Sequence, residues 1–234
     1  TIHGSLLGYK ELLKYPTYLQ SKFDSFYENT IRYKNFKNDL VRREVYKTFP
    51  LLLSFSPKVF LETKFDDIML FYLEILKNAD DFSYDTIEEN ISSNNNNITR
   101  GLMVSQQQLN SDKSCIFVSI GDMAIQTSGH IISYLPMILS NIRISLQVKY
   151  KNRKIYEKGI FYCIEKLAYS AGSLMAKHLN KDLLSLMLKC PLSQHLKSTL
   201  ETLKSTIPSL SDKIDELLLD IIFLNLSSES FKYP

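Results

Sequence analysis

The chain has 234 residues, of which 44% are hydrophobic and 23% are charged, and its formal net charge is +3. Seven glycines and seven prolines are too few for a collagen-like or broadly disordered chain. No basic segment precedes an apolar run at the start, and no stretch approaches about 18 uncharged apolar residues. We therefore expect neither a secretory signal nor a membrane span.

Residues 1–77 predict two helical hairpins, because apolar residues recur there at a spacing of three to four. Asp39 is the predicted N-cap of the third helix. Pro50 lies inside this helix, where a proline removes a backbone donor and clashes with the carbonyl group four residues earlier. The sequence therefore predicts a kink between Tyr46 and Pro50.

Residues 78–111 lack this periodicity and are rich in asparagine, glutamine and acidic residues. Between residues 79 and 110 five acidic residues and one basic residue give a net charge of −4, which leaves +7 for the rest of the chain. A long segment without periodic apolar residues is typical of an insertion that cannot bury enough apolar surface to order itself. We predict a disordered insertion at residues 78–111.

Residues 112–234 predict three further hairpins, two of which carry a repeated apolar pattern. Each residue of the first copy recurs 44 positions later, as follows: Phe117, Ile120, Met123, Ala124, Leu135, Leu139 and Ile142 match Phe161, Ile164, Leu167, Ala168, Leu179, Leu183 and Leu186. A period of this length with two apolar stripes is typical of HEAT or armadillo helical pairs, which must stack to bury their apolar faces. The predicted fold is an all-α solenoid of about five HEAT-type antiparallel hairpins, with no strands.

No pattern of residues in the chain predicts catalysis, cofactor binding or a metal site. Glycine-rich phosphate-binding motifs are absent, and Gly129 and Gly172 are interpreted, like the other isolated glycines, as helix caps. Cys115, Cys163 and Cys190 are too far apart for a metal motif, and their odd number favours reduced thiols. Cys163 is predicted to be a small core residue.

Two basic clusters at the predicted junctions between repeats are the candidate binding residues. The first contains Arg32, Lys34, Lys37, Arg42 and Arg43, and the second contains Lys149, Lys151, Arg153 and Lys154. Stacked repeats could present both clusters on one rim that binds an acidic protein surface, an anionic membrane or nucleic acid. A solvated linker explains the same residues, and neither cluster has aromatic residues arranged as a platform for stacking bases.

Eight collinear motifs together resemble the N-terminal HEAT region of the TOR (target of rapamycin) protein kinases. They are Ile2-His-Gly-Ser-Leu-Leu7, Leu40-Val-Arg-Arg-Glu-Val45, Phe117-Val-Ser-Ile-Gly121, Tyr134-Leu-Pro-Met-Ile-Leu139, Phe161-Tyr-Cys-Ile164, Leu183-Leu-Ser-Leu-Met187, Cys190-Pro-Leu-Ser193 and Ile207-Pro-Ser-Leu210. The resemblance spans nearly the whole chain. Gly172-Ser173 departs from it, since the family has Gly-Pro at this point.

The resemblance implies a scaffold segment of a serine/threonine kinase that signals nutrient state to growth. Its partners would be regulatory subunits of the kinase complex, bound by protein–protein contacts. ATP and magnesium would bind only in the parent's distant kinase domain, so this segment would have no catalytic, cofactor or metal residues. The implied location is the cytoplasm, with peripheral association with the vacuole or lysosome and with the nucleus.

Two other functions compete with this interpretation. A free-standing HEAT adaptor without a kinase domain would differ in the length of its reading frame, which would end near Pro234. A small helical enzyme is disfavoured because no catalytic site is visible in the sequence.

Overall fold

The computed structural model describes the backbone of residues 1–15, 20–81, 96–127, 129–148 and 153–227, and the side chains of residues 1–15, 21–78, 107–127, 129–148 and 153–223. Within these residues the chain is helical and forms no strand. The helices are α1 (Ile2–Leu12), α2 (Phe23–Ile31), α3 (Asp39–Phe55), α4 (Pro57–Thr63), α5 (Phe65–Asp81), α6 (Asn96–Gln126), α7 (Leu135–Gln147), α8 (Glu157–Ala171), α9 (Ala176–His178), α10 (Leu184–Leu188), α11 (Gln194–Thr206) and α12 (Ser211–Ser227). A π-helical turn, Leu179–Leu183, joins α9 to α10.

These helices form five antiparallel hairpins that stack in chain order, which confirms the predicted all-α solenoid. The first helices of the hairpins are α1, α3, α6, α8 and α11, and each contacts the next in this order to make one layer. In the second layer α5 contacts α7, α7 contacts α10, and α10 contacts α12. One continuous apolar core runs between the two layers.

The residues of the repeated apolar pattern are buried in the core, as stacking of the hairpins requires. Phe117, Ile120 and Ala124 of α6 are fully buried, and so are their counterparts in α8. Both predicted caps also have the backbone that suits glycine, since φ is +106° at Gly129 and +45° at Gly172. Cys163 is fully buried, which confirms that it is a core residue.

Two other glycines allow α6 and α8 to approach closely. A Cβ atom on Gly159 would lie 2.7 Å from the carbonyl oxygen of Ser114, and one on Gly121 would lie 3.2 Å from the ring of Tyr162. Both glycines lie inside helices, so the prediction that the isolated glycines serve as end caps is wrong for them. Their role is to let two backbones meet without a side chain between them.

The N-cap of helix α3 and its course at Pro50 can be compared with the prediction. Its N-cap is Asn38, whose side-chain oxygen accepts hydrogen bonds from the amides of Leu40 and Val41, so the prediction of Asp39 is wrong by one residue. The helix continues through Pro50. The carbonyl of Tyr46, which has no amide partner at Pro50, instead accepts hydrogen bonds from the hydroxyls of Tyr72 at 2.7 Å and Ser119 at 3.1 Å.

The predicted insertion at residues 78–111 overlaps two helices. Residues 78–81 continue α5, and residues 96–111 belong to α6, so the helices extend into both ends of the predicted segment. The disordered insertion itself stays a prediction. At the second end Asn110 is buried, next to the buried residues Asp112 and Lys113 of the same helix. Residues 82–95 lie outside the described part of the chain.

Candidate functional site

Arg42, in the first basic cluster, is bound within the protein instead of being presented to solvent. Its Nε and one terminal nitrogen donate to Oδ2 of Asp112 at 3.0 and 2.7 Å, and its other terminal nitrogen donates to the carbonyls of Phe36 and Lys37. Asp112 is 3% exposed, and burial raises the pKa of its carboxyl group although Arg42 opposes the shift. Arg42 therefore ties the linker before α3 to α6, across two hairpins.

Arg153, in the second cluster, has a similar set of contacts. Its Nε donates to Glu157 at 2.9 Å, and a terminal nitrogen donates to the carbonyls of Leu146 and Val148 at 2.8 and 3.4 Å. The residue is only 7% exposed. Hydrogen bonds and limited exposure thus commit the side chains of Arg42 and Arg153 to the fold. Partner binding by the predicted rim stays a prediction.

The remaining members of the clusters occupy different surroundings. Arg32, Lys37 and Lys154 are exposed. Lys34 is partly buried, with its Nζ 4.9 Å from the centre of the Phe71 ring, and Arg43 pairs with Asp39 at 3.0 Å. Lys149 and Lys151 lie outside the described residues. Three cations of the predicted rim are thus shown to face solvent.

A groove of about 660 Å³ crosses the first layer between α1, α3 and α6. Its lining includes the cations Lys10, Arg43 and Lys47, the apolar residues Pro50, Leu51, Val118 and Ile125, and the polar residues Asp122 and Gln126. Sequence analysis found only Arg43 among these cations. Lys10 and Lys47 are far apart in sequence, and the fold brings them together on Glu44, at 2.7 and 2.8 Å.

Glu44 organises the cationic end of this groove. Burial alone would raise the pKa of its carboxyl group, but hydrogen bonds from Lys10 and Lys47 hold that pKa below its usual value. One carboxylate shared by two ammonium groups leaves this end of the groove positive. The arrangement provides an apolar surface with a cationic boundary, which suits a protein segment better than a reacting substrate.

The described residues show no arrangement suited to catalysis by a thiol or a metal. Burial raises the pKa of the Cys115 thiol to about 12 and that of Cys190 to about 11, and it also raises the pKa of Cys163. In the described ranges no group of three histidine, cysteine or carboxylate side chains could hold a metal ion.

No protein-family model matches the chain, but individual relatives do. It is 42% identical over 232 residues to the serine/threonine-protein kinase TOR2 of Saccharomyces cerevisiae, a match that covers 99% of this chain and 8% of that protein. The chain belongs to the TOR family. The serine/threonine-protein kinases tor1 of Schizosaccharomyces pombe and TOR of Arabidopsis thaliana match over the same length at 28% and 27% identity.

This TOR segment spans about 8% to 9% of the length of these curated relatives. The matches cover nearly the whole chain, so both basic clusters and the groove lie in the region shared with the relatives. In the part of the chain that the structure describes, no helix is long and apolar enough to cross a membrane.

Proposed function

We propose that this TOR segment is a HEAT-repeat scaffold, in the N-terminal region of a serine/threonine kinase that signals nutrient state to growth. It contributes to protein–protein interaction and complex assembly, while phosphoryl transfer occurs elsewhere in the parent chain. The observation that carries the proposal is the groove across α1, α3 and α6, which joins three hairpins in one apolar surface with a cationic end. A stacked array holds such a surface rigid over a long distance.

The proposed partners are regulatory subunits of the kinase complex. Arg32, Lys37 and Lys154 form the solvent-facing part of the proposed rim, and the groove supplies apolar contact area. Exposed cations of this kind steer an acidic partner and affect its association rate more than they affect the fold. ATP and magnesium are proposed to bind only in the parent's kinase domain. The proposed location is the cytoplasm, with peripheral association with vacuolar or lysosomal membranes and with the nucleus.

Affinity purification from cells tests this function. Full-length protein carrying Arg32→Glu, Lys37→Glu and Lys154→Glu should recover less of the kinase-complex subunits than the parent does, with unchanged helicity. A matched control reverses Lys58, Lys158 and Lys189, which are exposed outside the two clusters. Equal recovery by both variants and the parent would remove the rim from the proposal. A native reading frame that stops near Pro234 would favour the free-standing adaptor.

A further inference from the structure

A second cavity, of about 400 Å³, lies in the other helix layer, between α7 and the segment formed by α9 and the π-helical turn. Four of its lining residues can carry a positive charge: Arg143 from α7 and Lys177, His178 and Lys181 from the facing segment. Ser140 adds a hydroxyl group. The cavity therefore joins the third and fourth hairpins through a lining rich in hydrogen-bond donors.

The positive charge of this cavity is only partly neutralised. Nε of Arg143 lies 2.8 Å from Oδ2 of Asp182. That buried Nε and the buried Oδ1 of Asp182 nevertheless make no hydrogen bond within the described part of the chain. Lys177 and Lys181 are exposed, and neither forms a salt bridge with a described residue. The net charge is +2 when His178 is neutral, because three cations, Arg143, Lys177 and Lys181, face one carboxylate, Asp182.

The backbone supplies an independent reason to regard the cavity as a binding site. Lys181 lies on the π-helical turn Leu179–Leu183, and Lys177 and His178 directly precede it. Turns of this kind are rare, occur mostly as single turns within α-helices, and are found frequently at functional sites. Here the turn interrupts the second helix of the hairpin at the residues that line the cavity.

We propose that this cavity binds the phosphate group of a phosphorylated side chain on a protein partner. A phosphomonoester carries about −1.5 to −2 charges near neutral pH, which matches the net charge of the cavity. The planar guanidinium of Arg143 can bind two phosphate oxygens, and the lysines and Ser140 can donate to the others. A concave site between two helices suits one phosphate group on a side chain better than the flat surface of a membrane.

Hydrogen–deuterium exchange on the full-length parent protein tests this site locally. The probe is O-phosphoserine blocked at both ends, compared with blocked serine, and the readout is exchange in residues 135–147 and 176–188. We expect the phosphorylated probe alone to slow exchange in both segments. The variant Lys177→Glu with Lys181→Glu should weaken this binding by at least about tenfold, since two of three cations change sign.

A control variant, Lys158→Glu with Lys189→Glu, makes the same change of net charge at exposed positions outside the cavity. It should retain the protection. If the phosphorylated probe does not slow exchange in the parent, or if both variants lose this effect equally, the cavity is not the binding site. Protection by phosphatidylserine-containing vesicles, without any by the phosphorylated probe or by phosphatidylcholine alone, would overturn the protein partner in favour of a lipid headgroup.

Discussion

Two junctions between hairpins each contain an arginine and a tyrosine, but the acidic partner of the arginine lies at a different distance along the chain. We call the contacts of Arg42 and Tyr46 junction one, and those of Arg153 and Tyr156 junction two. In each, the arginine donates to backbone carbonyls of the preceding segment. The tyrosine hydroxyl donates to a carbonyl at 3.3 Å, that of Lys34 in junction one and that of Ser145 in junction two. The acid partner differs, since Arg42 pairs 70 residues away and Arg153 pairs four residues away.

Helix α6 connects the two junctions through adjacent residues. Asp112 binds Arg42 of junction one, and Nζ of Lys113 lies 4.5 Å from the centre of the Tyr156 ring of junction two. The carbonyl of the next residue, Ser114, meets Gly159 of α8. One turn of α6 thus contacts the preceding and the following hairpin. The two junctions differ in their ion pairs, since that of junction one joins residues 70 apart and that of junction two joins residues four apart.

The largest expected effect comes from placing a charge at Ala168, a core residue of α8. Ala168 is 1% exposed, so Ala168→Asp would bury an unpaired carboxylate. This should lower the free energy of unfolding by about 4 kcal/mol, near the upper end for a single substitution. Chemical denaturation of the purified chain measures it. Lys154→Asp is the exposed control. An unchanged free energy of unfolding in both variants would show that Ala168 is not a packed core position.

Junction one should give the next largest effect. Arg42→Met leaves Asp112 buried without its cation, which should cost about 3 kcal/mol of unfolding free energy. Adding Asp112→Leu removes the orphaned charge, so the double variant should recover most of the loss. Equal free energies of unfolding for the single and double variants would show that the unpaired charge of Asp112 does not cause the loss of stability.

Junction two should respond less to the same substitution. Arg153→Met leaves Glu157, which lies in the first turn of α8, where the helix dipole stabilises a carboxylate. Asp112 has no such position, because it lies well inside α6. We expect a loss of about 2 kcal/mol, measured by denaturation beside Arg42→Met. A larger loss than that of Arg42→Met would reverse the comparison.

The smallest effect concerns pH. Burial raises the pKa of Asp112 above its usual value of 3.8, so the folded state binds the proton more tightly than the unfolded state does. The stability from this group is present at lower pH and is lost as the pH rises through its folded pKa. Asp112→Asn should therefore gain stability relative to the parent as the pH rises from about 3 to 7. An unchanged difference across that range would contradict the shift.

The sequence predicted the solenoid because helical periodicity and the 44-residue repeat are local and one-dimensional signals. It could not identify which cations are exposed. Arg42 and Arg153 look like solvated linker residues in the sequence, and only the fold brings Asp112 to the first and the carbonyl of Leu146 to the second. The cavity at Arg143 was missed for the same reason, because its residues come from two helices.

The N-cap of α3 and the glycine contacts show what the sequence pattern cannot predict for single residues. Asn38 and Asp39 are both good caps, and their order along the chain does not decide between them. Gly159 resembles any other glycine in a helix until the backbone of Ser114 is placed against it. Packing between hairpins, which the one-dimensional pattern does not encode, decides the role of Gly159.

Hydrogen–deuterium exchange of Arg42→Met and Arg153→Met, each against the parent, tests most directly the claim that the ion pair of junction one joins two hairpins and that of junction two lies within one turn of the chain. Arg42→Met should speed exchange in both α3 and the part of α6 around Asp112. Arg153→Met should speed exchange mainly at the end of α7 and the start of α8, and should leave α3 unchanged. Faster exchange confined to α3 in the first variant, or spread to α3 in the second, would contradict the account.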